Sequence, residues 1–250
     1  MASESTAGPY SLIPLPEYAI IQTVDKDLKA KVFFDMIMVH NVFIRAMNSI
    51  HVNATKVTPE DVPAFIGYCL TAIETIGFHH QMEEETVFPI LEKKIEEMSH
   101  NVEQHKAFHD GMETFKQYML DVREKKETYE GERARELSKA FSEPLLQHLH
   151  DEIPTISPEM LSRFDDEPET LQNMYHRLEE HAKSQPGKLT VFPFVMTHHD
   201  VKTSPNWPAF PAPIKWFARN IAPLWNSSFW KLSPYTSRGE SQTYNPAIEA

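Results

Sequence analysis

The sequence predicts an all-α protein: an up-down-up-down four-helix bundle with additional C-terminal helices and a Pro/Trp-rich extended tail. Three observations carry that expectation. Glycine is scarce, with 7 in 250 residues. Apolar side chains recur at helical spacing through the first two-thirds of the chain, and polar or Pro-marked turn signals separate four long periodic stretches. The first helix is expected over about residues 27–49, where Val32, Met36, Val39, Phe43 and Met47 form one stripe. The second opens at Thr58-Pro59-Glu60-Asp61, with Thr as N-cap and Pro at the first helical position, and runs to about Ile95 with Pro89 placed to kink it. The third spans about 99–124 on Val102, Phe108, Met112, Phe115 and Met119. Residues 125–131 read as a turn. The fourth helix follows over about 132–153 on Leu137, Phe141, Leu145 and Leu149, bent at Pro144. Long helices joined by short turns pack as a bundle.

The organisation expected is an N-terminal extension over 1–26, the bundle over 27–157, accessory helices over 158–185 and a Pro/Trp-rich segment over 186–250. That last segment holds Trp207, Trp216, Trp225 and Trp230, and its composition suits extended backbone packed against the bundle. A formal net charge of −12 argues against nucleic acid, and also against docking on an anionic membrane. The single cysteine, Cys69, excludes an intrachain disulfide framework and fits a reducing compartment. No apolar run is long enough for a membrane span, and residues 1–16 lack the pattern of a secretory signal. A cytoplasmic location is expected.

The chemistry lies in the 13 histidines. Three couples share a spacing of four: His80 with Glu84, His105 with His109, and His148 with Glu152. Residues four apart share a helix face about 6 Å apart along the axis, so each couple can point into a bundle core. Each falls on a different expected helix, and His40 lies on the remaining one. His79 and Glu83 have the same spacing, and spacing alone does not choose between the two couples. His51, His100, His150, His176, His181, His198 and His199 read as surface histidines.

In antiparallel neighbours, residues at equal height are equally far from the connecting turn. The midpoint of His40 and His80 is residue 60, in the 58–61 turn. That of His109 and His148 falls in the 125–131 turn, and the couples His80/Glu84 and His105/His109 centre near residue 95. All seven residues are therefore expected at one level. Five imidazoles and two carboxylates suit two first-row transition ions, with iron favoured over structural zinc by the mixed nitrogen and oxygen donors. Seven side chains cannot saturate two six-coordinate ions, so an open position for a small molecule such as dioxygen is expected.

The strings around these residues, His79-His80-Gln81-Met82-Glu83-Glu84-Glu85-Thr86-Val87-Phe88-Pro89, Glu103-Gln104-His105-Lys106-Ala107-Phe108-His109 and His148-Leu149-His150-Asp151-Glu152, resemble the hemerythrin-like (HHE cation-binding) family over roughly residues 27–157. The stretch following His40 and the Trp- and Pro-rich tail are similar to fungal members. The resemblance favours His80 and Glu84 over His79 and Glu83. It implies a non-haem centre of two iron ions, one held by His105, His109 and His148 and the other by His40 and His80, with Glu84 and Glu152 bridging. Glu152 follows His148 by four, where the invertebrate oxygen carriers have an Asp at five, so the resemblance is to the broader HHE domains. The roles implied are binding or sensing of dioxygen or nitric oxide, a di-iron oxidase, oxygenase or peroxidase acting on a small organic molecule, or an iron-responsive regulatory module.

Overall fold

The computed structural model describes residues 8–17, 21, 24, 26–96 and 98–245, and among these it is helical without a named strand. Helix α1 (Leu28–Asn53) starts at Asp27, whose carboxylate accepts a hydrogen bond from the Lys29 backbone N–H at 2.9 Å. Helix α2 (Val62–Met82) starts later than the Thr58-Pro59 signal suggests. Thr58 instead closes a turn, accepting from the Asp61 N–H at 2.9 Å, and Pro63 sits in the first helical turn. Helices α3 (Met98–Arg123) and α4 (Gly131–Thr155) complete the four long helices, and Pro144 lies within α4 without ending it. Beyond them come a short helical turn Pro158–Leu161 and α5 (Pro168–Ser184).

One local departure matters for the site. The second helix does not run straight to Ile95. It widens at Glu83–Val87 into a π-turn, where the Phe88 N–H bonds the Glu83 carbonyl five residues back, before a last helical turn Phe88–Leu91. Pro89 supplies the cause: without an N–H it cannot continue the α ladder, and its ring crowds the carbonyl four residues earlier.

The segment from residue 186 onward is only partly extended. It contains helices α6 (Lys188–His198) and α7 (Ala212–Asn220) and the short turn Ser227–Trp230. Apolar residues here outweigh the proline content: α6 packs on α1 and α2, the turn Ser227–Trp230 packs on α2, and α7 packs on α6. From Met36 to Ile50 nearly every side chain of α1 is buried, so this helix is covered on all sides rather than along one stripe. Two asparagines on α1 hold the N-terminal stretch by paired bonds to single residues. Asn41 accepts from Ile13 N–H at 2.8 Å and donates to its carbonyl at 2.9 Å; Asn48 does the same for Tyr10 at 2.9 and 2.8 Å. On the C-terminal side, Ser49 bonds the Leu232 carbonyl, Arg45 donates to the His198 carbonyl at 3.3 Å, and Trp207 donates its indole N–H to Asp35 at 3.1 Å. Gly67 has no Cβ where the Phe229 ring packs: an added methyl would come within 2.0 Å of it. Trp207 and Trp230 are buried as expected, whereas Trp216 and Trp225 are exposed.

Candidate metal centre

Four helices bring a cluster of imidazoles and carboxylates into the bundle core. His40 comes from α1, His79 and His80 from α2, Glu83 from the π-turn, His105 from α3, and His148 and Glu152 from α4; all seven are buried. Two groups can be distinguished within it. Donor atoms of His80, Glu83, His105 and His148 lie within 4.8 Å of one another, and so do those of His40, His79 and Glu83. Glu83 is common to both. Glu152 stands between them, with Oε2 at 3.3 Å from His40 Nε2 and 3.8 Å from His148 Nε2.

The rings are oriented from behind. His40 donates its Nδ1–H to the Leu149 carbonyl at 2.8 Å, and His105 donates its Nδ1–H to Glu84 Oε1 at 2.8 Å. His148 donates Nδ1–H to the Gln104 side-chain oxygen at 3.3 Å, and Gln104 in turn donates to Asp151 at 2.9 Å. Each bond fixes the tautomer and leaves a bare Nε2 facing the cluster. The Nε2 atoms of His105 and His148 then confront each other at 3.0 Å, and those of His40 and His79 at 3.3 Å. For His105 and His148, two lone pairs at that distance repel unless a cation lies between them, whereas the His79 ring, held by no Nδ1 bond, can donate Nε2–H to His40. Two nitrogens each about 2.1 Å from one first-row ion, at a right angle, would stand about 3.0 Å apart.

Unpaired polar atoms make the same case. Both nitrogens of His80 and all four carboxylate oxygens of Glu83 and Glu152 are buried without a hydrogen-bond partner. His79 Nε2 approaches Glu83 Oε1 to 2.8 Å but not along a hydrogen-bonding direction. Buried polar groups left this way are costly, so a concentration of them at one point calls for a bound cation. Protonation is consistent. Burial pushes the His79 pKa down to about 4 and that of His148 to about 3, lowers His105, and puts His80 well below the usual imidazole range. All are therefore in the neutral, ligating form near pH 7. Burial raises Glu83 well above the carboxylate range, helped by the charge on Glu152. It acts the same way on Glu152, where His40, His148 and His79 overcome it and hold that carboxyl down at about 2. Without a cation the pair supports one negative charge, and bound cations invert that logic.

Of the seven residues anticipated, His40, His80, His105, His148 and Glu152 meet in the core, and two do not. Glu84 is half exposed and lies behind His105 as its hydrogen-bond acceptor; Glu83 occupies the inward position. The alternative couple of four, His79 with Glu83, supplies the inward pair: the Glu83 N–H still bonds the His79 carbonyl in regular α fashion, and the π-turn opens only beyond it. His109 is exposed beside Asp110, at 3.4 Å. The core seam of α3 runs Met98, Asn101, His105, Phe108, Met112, Phe115, Met119, and the ring at the next inward position belongs to Phe108, 4.9 Å from His80 and 5.7 Å from His148. His79 joins the cluster as well, next to His80.

Two histidines expected at the surface are also buried. His198 accepts the Tyr68 hydroxyl hydrogen bond at 2.5 Å and donates Nδ1–H to the Phe194 carbonyl at 2.7 Å, and His199 donates Nε2–H to the Ser204 carbonyl at 2.8 Å. These hold α6 and the segment after it, and they lie outside the cluster.

A helical bundle with buried imidazoles and carboxylates from all four long helices defines a metal-binding helical protein. The chain belongs to the hemerythrin family: residues 33–160 match the hemerythrin HHE cation binding domain. It is similar to "Dimeric xanthone biosynthesis cluster protein R11" of Cryptosporiopsis sp. (strain 8999), 30% identical over 242 residues that cover 93% of this chain and 88% of that protein. No solved structure matches it.

Proposed function

We propose that the protein is a non-haem di-iron protein that binds dioxygen or another small diatomic ligand such as nitric oxide. The observation that carries this reading is that Glu83 belongs to both donor groups while its two oxygens have no other partner. In this reading His80, His105 and His148 hold one ion, His40 and His79 the other, and Glu83 and Glu152 bridge them. This keeps the five-imidazole, two-carboxylate composition read from the sequence and replaces two of its members. Bridged iron would supply a redox-active pair with positions left open, since the seven side chains fall short of two full octahedra. The protein's own contribution is to keep His79, His80, His105 and His148 neutral by burial, fix three rings of the cluster by Nδ1 bonds, and exclude water from the carboxylates.

The test is anaerobic reduction of the purified protein followed by oxygen exposure, with absorption and metal content measured together. About two iron ions per chain and a reversible absorption change are expected. Zinc in place of iron, with iron well below one per chain, would oppose the di-iron assignment. A second reading, an oxidase or oxygenase acting on a small organic molecule, is supported by the relative named for a xanthone biosynthesis cluster. Continuous oxygen consumption on adding xanthones would favour it over stoichiometric binding.

A further inference from the structure

The net charge of −12 is unevenly distributed. Residues 201–239 contain no Asp or Glu, yet they contain Lys202, Lys215, Arg219, Lys231 and Arg238. The same stretch carries most of the protein's uncovered large apolar side chains. Among the described residues six large hydrophobics are exposed, and five of them are Ile214, Trp216, Ile221, Leu224 and Trp225. Leu224 is 73% exposed, Trp225 61% and Trp216 60%. They lie on α7 and on the tight turn Ala222–Leu224 that packs against it, while Ala218 on the other side of the helix is buried.

Clustered apolar residues of this size mark an interaction surface. Charge selects what covers it. Lys215 and Arg219 are one helical turn apart, and the charged neighbour that Lys215 feels is Arg219, a like charge. A second copy of the chain would bring these cations face to face, whereas an anionic surface would neutralise them. Tryptophans beside lysine and arginine on a short amphipathic helix are suited to the headgroup level of a bilayer, where the rings enter and the cations stay at the polar boundary. Among the described residues no helix is long and apolar enough to cross a membrane, and α7 is about 13 Å long, which fits lying in the interface. Screening over about 8–10 Å at physiological salt makes this local charge, rather than the distant acidic surface, the one a lipid would meet.

We infer that α7 and the turn after it dock the protein reversibly on an anionic lipid surface, with Trp216, Leu224 and Trp225 in the headgroup region and Lys215 and Arg219 against lipid anions. The metal-loaded full chain is floated with phosphatidylcholine vesicles with and without phosphatidylserine. It is expected to co-float with the phosphatidylserine vesicles, less as salt rises, and weakly with phosphatidylcholine alone. Lys215→Gln with Arg219→Gln should lower partitioning onto phosphatidylserine roughly fivefold per charge and leave phosphatidylcholine binding alone. Trp216→Ser with Trp225→Ser should abolish both. Brominated lipid should quench the tryptophan fluorescence of the unaltered protein. Absence of flotation and quenching would overturn the inference, as would flotation unaffected by both double variants. So would a dimer in sedimentation that the tryptophan variant dissociates while neither form floats, because that assigns the surface to a second copy.

Discussion

Replacing Glu83 or Glu84, adjacent in sequence, should give phenotypes of very different size. Glu83 is fully buried and shared by both donor groups; Glu84 is half exposed and touches only His105. Removing a residue that orients a ligand typically costs 10–100-fold in metal affinity, and exposure places Glu84→Gln near the lower end, at about tenfold. Glu83→Gln withdraws a ligand from both halves and should exceed about 100-fold. A hundredfold loss removes about 2.7 kcal/mol of metal-dependent stabilisation under saturating conditions. For a chain of this size that is a fall in holo Tm of about 5–10 °C, against about 3–5 °C for Glu84→Gln. The apoprotein should respond in the opposite sense. With no cation, Glu83 is a buried carboxyl with two unpaired oxygens beside the charged Glu152, so the neutral isostere should raise apo Tm. Metal content by mass spectrometry and thermal melts with and without metal measure both effects. Equal metal loss from the two variants, or a lower apo Tm for Glu83→Gln, would refute the assignment of the inward carboxylate.

His109→Ala should leave metal content within error of the unaltered protein, because its ring is in solvent; depletion by metal analysis would return it to the ligand set. Gly131→Ala should lower stability by roughly 1–3 kcal/mol, seen as a lower Tm, since the new methyl would stand 2.5 Å from the Ala54 carbonyl oxygen, where α4 starts against the end of α1; an unchanged melt would show that this corner can open freely. Tyr68→Phe should cost about 1–3 kcal/mol by leaving His198 Nε2 without its donor, with metal content unaffected, read by denaturant unfolding and metal analysis. Acid should loosen the C-terminal segment. Burial puts the pKa of His198 at about 3 and that of His199 at about 4, below the unfolded value near 6.5, so the unfolded chain binds more protons. Their contribution is present in full above about pH 6.5 and is lost as pH falls towards 4, by up to about 1.4 kcal/mol per pH unit for each ring. Hydrogen exchange at α6 should accelerate across that window, and a flat profile would contradict the burial.

Much of this was legible in the sequence because helices declare themselves by period. The expected starts of α1, α3 and α4 fall within a residue of those observed. His148 and Glu152 meet in the core as a couple of four inside regular helix, whereas His80 and His105 arrive there without the partners that spacing gave them. The spacing of four leaves His79/Glu83 and His80/Glu84 as alternatives, the family resemblance favours the second, and the fold turns Glu83 inward. Met98, Asn101, His105, Phe108, Met112, Phe115 and Met119 repeat in alternating threes and fours, and His109 falls off that seam. His198 and His199 carried no local signal, since their burial depends on Tyr68, Arg45 and Trp207 from far along the chain. Net charge averages over a chain whose charge is not uniform, since residues 201–239 hold no Asp or Glu.

Adjacent positions on α2 also have a mechanical consequence. His79 belongs to one donor group and His80 to the other, so a single peptide unit ties the two halves together. Consecutive Cα atoms are held 3.8 Å apart by covalent geometry, which no thermal motion of the bundle alters. If α1 or α3 swings outward, the half it serves loosens while its counterpart stays in register. The second helix therefore acts as a ruler for the centre, setting the spacing of its halves by bonds rather than by packing.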